Sequence, residues 1–471
     1  MAKILLINPH NPDFIFSEER HIPLGILYLS SSLKKNGHEV LFIDVSNDQI
    51  TAVSEKTKFN FEEYYKSKMQ KIISDFKPDL IGISIHCSVR FSPAIAIGKS
   101  IKVDYPLIPI VFGGIHPTIF SRQILAEYDC VDFILQGESE SSLIELVNAI
   151  ENKINGFNRI DGLAYRINGE VSVNKKEKYI EDIDGIPFPD YSLVNIKDYY
   201  FNTSKWINPR KLPINLSLYV LSSRSCPRQC TYCSMFLAHG RKHRMRSASN
   251  VVDELEYLYF HLNHHYFSFM DDNLTLNKNR TIEMCNLIIS KGLNIQFDTP
   301  NGLDLNTIDE EVIEALINAG LVRTCLAVES GSPEIRMSIN KRLTQENIIA
   351  AFNNIKKYPK LAYNVFFIVG FPNETHETLQ ETYELIKQLE LKRAVISFAT
   401  PFPGTKLYDE CVANNLLIID QANLHNTGSF YYANDTPFIK PYKLEKQDII
   451  DFRLKVYEEL GMLKERADNH D

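Results

Sequence analysis

"LSSRSCPRQCTYCS", residues Leu221 to Ser234, sets Cys226, Cys230 and Cys233 three residues and then two residues apart. A closed structural zinc site needs four protein ligands, so either a remote residue such as His239 completes the set or the open coordination position is the purpose of the motif. What surrounds the cysteines decides the fold. The strand pattern INLSLYVL runs into them and a helical pattern near Val251 to Leu262 follows; YFSFM then leads into Asp271, Asp272 and a helix near Asn279 to Ser290. Four further strand patterns, NIQFDT, VRTCLAVES, YNVFFIVG and AVISFAT, each precede a helical one. Six successive βα units imply a partial (β/α)6 TIM-type barrel over 214–415, whose chemistry belongs on the loops at the carboxyl ends of its strands. The cysteines occupy the first of those loops. Three thiolates there suit three irons of a cubane cluster, with Arg224 and Arg228 flanking to offset its negative charge.

Upstream, the same alternation runs on a shorter scale. KILLIN, EVLFID, LIGISI, PIVFGG and DFILQG read as buried parallel strands separated by helical patterns, which gives a doubly wound, Rossmann-like α/β domain over 1–153. Sheets of this kind bind ligands beyond the carboxyl ends of their strands. The loops there carry Asn8, Ser84, the run Gly113, Gly114, His116 and Thr118, and Gly137 with Glu138. Between the two α/β parts, 154–213 is expected as a connector with one β-hairpin turning at Asn168-Gly169. The segment 416–471 is expected to end in an amphipathic helix, LEKQDIIDFRLKVYEELG, packed on the body.

Composition excludes several classes. No apolar run is long enough to span a bilayer and the start lacks a secretory pattern, so a cytoplasmic location is expected. A net charge of −8 over 471 residues argues against a general nucleic-acid binder, and the local run Arg241, Lys242, Arg244, Arg246 reads as a solvated face. Eight cysteines in so long a chain are not a disulfide framework; Cys87, Cys130, Cys285, Cys325 and Cys411 read as small buried hydrophobes.

The three-cysteine spacing, with Tyr232 just before the last cysteine, resembles the signature of the radical S-adenosylmethionine (SAM) superfamily. That resemblance implies that Cys226, Cys230 and Cys233 bind a [4Fe-4S] cluster whose open iron is chelated by SAM, the source of a 5′-deoxyadenosyl radical. It also implies cofactor contacts from Tyr232, from Asp271 and Asp272 facing the methionine amine (a helix N-cap is the competing reading), from Glu329 and Ser330 near the ribose, and from Gly370, which with Pro372, Glu374 and Thr375 matches the family motif after the fifth strand. Asn373 stands where the family commonly has glycine, and Asn tolerates a left-handed turn. Pro403, Gly404 and Thr405 match after the sixth strand.

The N-terminal loops resemble the cobalamin-binding domain of the cobalamin-dependent members, which makes Asn8, Ser84, Gly113, Gly114, His116, Thr118, Gly137 and Glu138 the expected cobalamin contacts. No Asp-x-His-x-x-Gly motif is present, so cobalt is expected without a lower-face histidine. His86 and His116 are the histidines of the matching loops, with ordinary hydrogen bonding as the competing role. The resemblance implies a methyltransferase acting on an unactivated carbon or on phosphorus, with a small-molecule substrate and a flavodoxin- or ferredoxin-like electron donor. A cyclase or oxidase of the same architecture, and a zinc-stapled binding protein, are the alternatives. Substrate contacts are expected from the barrel mouth, the connector and the stretch from Leu416 to Lys440, with Phe430, Tyr431 and Tyr432 as candidates.

Overall fold

The computed structural model describes residues 1–12, 20–154, 156–200, 207–419, 424 and 436–462; the candidates Phe430, Tyr431 and Tyr432 lie outside the described residues. The chain divides into two compact units, one built mainly from Met1–Asn202 together with Leu237–Gly240, the other mainly from Thr203–Phe236 and Arg241–Asp420 with the C-terminal helix.

In the first unit, β1 (Lys3–Asn8), β2 (Glu39–Asp44), β3 (Leu80–Ser84), β4 (Ile110–Gly113) and β5 (Phe133–Leu135) pair in parallel in the order β2-β1-β3-β4-β5. KILLIN buries five consecutive residues because helices cover both faces of such a sheet. The hairpin forms where expected: Asn168 and Gly169 have φ of 51° and 83°, the doubly left-handed geometry of a tight two-residue turn. Its strands, β6 (Leu163–Ile167) and β7 (Glu170–Val173), continue the first sheet antiparallel beyond β5. The stretch expected as a separate connector therefore supplies two strands of a seven-stranded sheet; pairing with β5 satisfies an edge that would otherwise stay open.

In the second unit, β8 (Leu218–Val220) is followed by the short pair β9 (Ser223–Arg224) and β10 (Arg244–Met245) and then by β11 (Tyr266–Phe269), β12 (Gln296–Leu303), β13 (Leu321–Glu329), β14 (Ala362–Val369) and β15 (Ala394–Phe398). Strands β8 and β11 to β15 pair in parallel in chain order, six strands of an open barrel. β14 and β15 alternate buried and half-buried residues because one face meets helices and the other the interior. The C-terminal helix Lys446–Glu459 lies against this sheet: Tyr457 Oη accepts from Ile396 N at 3.0 Å and the Arg453 guanidinium stacks on Phe398 at 4.0 Å. Among the described residues no helix is long and apolar enough to cross a membrane. Cys130, Cys285, Cys325 and Cys411 are buried core residues as expected, whereas Cys87 is half-buried in the loop after β3.

The loop after β14 is held by one carboxylate. Glu374 is fully buried, and its Oε2 accepts from the backbone N–H of Gly370 at 2.7 Å and of Phe371 at 3.3 Å. Gly370 has φ of +87°, which lets the chain turn back over that carboxylate. Burial pushes the Glu374 carboxyl up to about 7 against the lowering effect of the two N–H donors. The folded state therefore holds this proton more tightly than the unfolded chain, so the contribution is greatest below about pH 4.5 and is lost as pH rises through about 7. Glu374→Gln, which keeps the acceptor without the charge, is expected to flatten the fall in thermal stability between pH 5 and 8, while Glu374→Ala strands two buried donors and costs about 1–3 kcal/mol at all pH values.

Candidate active site

The chain leaves β8 through Leu221–Ser225, and a buried carboxylate fixes that exit. Asp271, at the end of β11 and 2% exposed, accepts from Ser222 N at 3.1 Å, Ser222 Oγ at 2.7 Å and Ser223 Oγ at 2.5 Å. Arg280 reaches in from the next helix (Lys278–Ser290), donating to Ser222 O at 2.7 Å and Arg246 O at 2.6 Å. Arg246 in turn donates to Leu221 O at 3.1 Å and pairs with the fully buried Glu254. Burial pushes the Glu254 carboxyl up, and Arg246 only partly offsets it. The run read as a solvated face divides: Arg241 and Lys242 are exposed as expected, whereas Arg244 and Arg246 are interior. Arg246 is buried with the Leu221 carbonyl and Glu254 as its partners, Arg244 is buried in β10 opposite Arg224, and Arg241 stacks on Phe236 at 3.7 Å. Immediately after the anchored segment, Ser225 adopts φ of +71°, unusual for a residue with a side chain, and its carbonyl accepts from His243 Nδ1 at 2.7 Å.

Cys226, Cys230 and Cys233 follow, none of them in a disulfide, and all three lie on the wall of one cavity of about 590 Å³ at the carboxyl ends of the barrel strands. That volume falls in the range of small-molecule sites. The same cavity is lined by Asp272 after β11, Asp304 after β12, Glu329 at the end of β13, and Lys341 beyond it. Glu329 has φ of +71° at a bulge in the β13–β14 pairing, which redirects its side chain. Its Oε1 accepts from Tyr232 Oη at 2.7 Å and Lys341 Nζ at 3.2 Å. Burial works against the Lys341 ammonium, yet Glu329, Cys230 and Asp304 outweigh it and hold it above the usual range. Across the cavity Arg228 grips Asp304 through Nε at 3.1 Å and one terminal nitrogen at 2.8 Å. Burial opposes that charge as well, but Arg228 and the Asn306 backbone keep Asp304 below the usual carboxylate range.

The Cys230 and Cys233 thiols are held up. Burial, then the neighbouring charges of Glu329 and Cys226, raises Cys230 despite Lys341, and burial with Cys230, Asp272 and Cys226 raises Cys233 to about 11. Neighbouring thiolates repel one another, so all three can ionise together only around cationic metal, which is the donor chemistry of a thiolate-ligated cluster. His239, the nearest candidate for a fourth zinc ligand, instead pairs with Glu138 at 3.2 Å within the first unit.

The expected SAM residues thus separate. Cys226, Cys230, Cys233, Tyr232, Asp272 and Glu329 share the cavity wall. Asp271 does not: it lies beneath the loop as an anchor, and neither aspartate caps the next helix, whose N-cap is Asn277. Ser330 is fully buried, its Oγ accepting from Ser332 N at 3.1 Å, and Gly370 shapes the Glu374 turn. Arg224 sits buried in β9, and Arg228 is committed to Asp304. Asn273, Asp304, Lys341 and Arg342 line the cavity without having been singled out from sequence. No local motif marks them; only the strand order brings their loops together.

In the first unit, the expected cobalamin residues lie at one sheet edge but differ in access. Asn8 is buried, donating to Asp44 Oδ1 at 2.8 Å and accepting from Arg90 at 2.7 Å. His116 is wholly buried in the helix Ile115–Glu127, its ring 4.5 Å from that of Phe91 and 4.9 Å from that of Phe120, with Nδ1 2.9 Å from Ser88 Oγ. It is a core residue rather than a loop ligand, because the helix begins one residue before it. Gly114 is required by packing: at φ +105° a Cβ there would come within 2.4 Å of Ile85 O. Thr118 Oγ1 donates to Gly114 O at 2.8 Å and accepts from Gly137 N at 2.9 Å, tying the loops after β4 and β5 together. Glu138 is buried; Ser84 and Gly113 remain partly open at the ends of their strands, and a Cβ on Gly113 would meet nothing nearer than 4.0 Å. Such a lining admits a ligand against the backbone. His86 is exposed on the same edge.

Residues 220–386 match the radical SAM superfamily and residues 15–147 match the B12 binding domain. The chain is 32% identical to an uncharacterized methyltransferase of Pyrococcus horikoshii over 84% of its own length and 80% of that protein's. It belongs to the cobalamin-dependent radical SAM enzymes. Within that family it is also 27% identical to an anaerobic magnesium-protoporphyrin IX monomethyl ester cyclase of Cereibacter sphaeroides, over 94% of this chain and 67% of the cyclase. The fold is shared with TsrM, a radical SAM methyltransferase of Kitasatospora setae, at a TM-score of 0.68 and 17% identity, covering 88% of this chain and 77% of that one. The family's cofactors are the [4Fe-4S] cluster, SAM and cobalamin.

The two aspartates can be told apart experimentally. Asp271→Ala is expected to lower iron retention after anaerobic reconstitution and to lower the melting temperature, because three buried donors lose their acceptor at about 1–3 kcal/mol each at most. Asp272→Ala is expected to retain iron and stability and to weaken SAM binding. The reverse pattern would return Asp271 to the cofactor.

Proposed function

We propose that this enzyme is a SAM-dependent methyltransferase that delivers a methyl group to an unactivated carbon or to phosphorus in a small molecule. The observation that carries the reading is the barrel cavity, where three free cysteines face Tyr232, Glu329 and Lys341, in a chain whose relative at 32% identity is named a methyltransferase.

Cys226, Cys230 and Cys233 would hold the cluster. Glu329 has carboxylate lone pairs beyond its bonds to Tyr232 and Lys341 with which to accept from ribose hydroxyls, and Asp272 offers a carboxylate to the methionine amine. Ser84, Gly113 and the backbone of Gly114 at the start of the helix Ile115–Glu127 would bear cobalamin. When bound, the cluster with SAM supplies a 5′-deoxyadenosyl radical for hydrogen abstraction and cobalamin supplies the methyl group. The chain's part is to orient the groups and to keep water from them, and on the wall Glu329 is paired with Lys341 and Asp304 with Arg228. A flavodoxin- or ferredoxin-like protein fits the need for a one-electron donor.

The cyclase relative keeps a second reading in view, formation of a ring or oxidation without methyl transfer. SAM carrying a labelled methyl separates them. A methyltransferase labels its product and releases one S-adenosylhomocysteine and one 5′-deoxyadenosine per turnover. Release of 5′-deoxyadenosine alone during turnover would replace methyl transfer with the cyclase reading.

A further inference from the structure

We propose that Asn273 is a positioning residue for the cluster's electronics, its side-chain amide donating a hydrogen bond to Cys226 Sγ and so raising the reduction potential of the cluster that Cys226 helps to hold. The inference rests on Cys226, Cys230 and Cys233 being the cluster ligands.

Asn273 is 3% exposed on the cavity wall, two residues beyond the Asp271 anchor. Its Nδ2 lies 3.7 Å from Cys226 Sγ and 3.4 Å from Asp304 Oδ2. An amide nitrogen has two hydrogens, and here it has two acceptors, both of them anionic once the thiol is a metal ligand. The flipped amide would set Oδ1 against a carboxylate and a thiolate, so repulsion from both sides fixes the orientation. On the other side Oδ1 is buried without a hydrogen-bond partner among the described residues. The amide is therefore held by its N–H groups alone. Asp304 is held in its turn by two bonds from Arg228, and its other oxygen accepts from Asn306 N at 3.1 Å and Asn306 Nδ2 at 3.0 Å. Arg228, Asp304 and Asn273 thus form a chain that ends on a cysteine sulfur.

The consequence follows from charge. One-electron reduction of a [4Fe-4S]2+ cluster to the 1+ state by an external one-electron donor adds a negative charge that is shared with the thiolate sulfurs. A hydrogen-bond donor aimed at one sulfur stabilises the reduced form more than the oxidised form and raises the potential. Removing the donor lowers it.

The test uses the full-length protein reconstituted anaerobically, without SAM or substrate. Its cluster potential is measured by mediated titration, followed by the electron paramagnetic resonance signal of the reduced cluster. Asn273→Leu, which has similar bulk and no donor, is expected to lower the reduced-to-oxidised ratio at fixed potential about tenfold, a shift of about 59 mV for one electron. Asn273→Asp, isosteric and anionic, is expected to shift in the same direction and further; it decides the matter should the leucine variant fail to hold four irons. A potential equal to or above that of the unmodified protein in a variant with full iron overturns the proposal. Absence of any reducible cluster in the unmodified protein would overturn instead the assignment of the three cysteines.

Discussion

The carboxylate of Asp271 governs where the cysteines can be. It is buried beneath the exit from β8 and takes three bonds from two adjacent serines, so Leu221–Ser225 cannot fray into the cavity. Arg280 and Arg246 cover the carbonyls of the same segment, and Glu254 balances Arg246. A charge so deep in the barrel is tolerable only with such partners, and removing one partner leaves the other buried and bare. Rigid support directly behind this loop suits the proposed cluster: three sulfurs would have to meet three irons at fixed distances, and a loop of the polarity of RSCPRQC has little apolar surface with which to position itself.

On the cavity side the problem is reversed. The wall must accept a charged cluster and a charged cofactor, yet remain stable without them. It does this by pairing. Lys341 lies against Glu329, Arg228 against Asp304, and Tyr232 donates to the same Glu329 oxygen that Lys341 reaches. Two residues with side chains, Ser225 just before the cysteines and Glu329 on the cavity wall, are held at φ of +71°. Strain of this sort costs on the order of 1–3 kcal/mol per residue and persists where surrounding bonds impose it; His243 at Ser225, with Tyr232 and Lys341 at Glu329, are bonds of that kind.

Much of this was legible in the sequence because it is local. Strand and helix periods alternate within windows of a dozen residues, so both α/β parts and the hairpin turn at Asn168-Gly169 could be read directly. The cysteine spacing and the Glu329 and Glu374 turns are equally compact. The rest depends on what lies across the fold. Asp271 and Asp272 are neighbours with the same side chain, and only the pleat at the end of β11 sends one beneath the loop and the other into the cavity. Arg246 looked solvated because nothing near it in sequence indicates that Glu254 and the Leu221 carbonyl would meet it, and Arg244 because its pairing with Arg224 in β9 is not local. Asp304 and Lys341 lie far along the chain from the cysteines and are gathered by strand order alone. His116 sat in a glycine-bearing loop motif, but the helix starts at Ile115 and turns the imidazole toward Phe91 and Phe120.

One cavity would hold the cluster on Cys226, Cys230 and Cys233 together with SAM, whose ribose Glu329 would receive. Electron–nuclear double resonance on the reduced, reconstituted protein with SAM carrying 15N in its methionyl amine tests this directly. The account predicts a 15N hyperfine coupling large enough to require iron–nitrogen ligation, and its loss on Glu329→Ala at SAM concentrations that saturate the unmodified protein. A reduced cluster whose spectrum carries no 15N coupling at saturating SAM would contradict it.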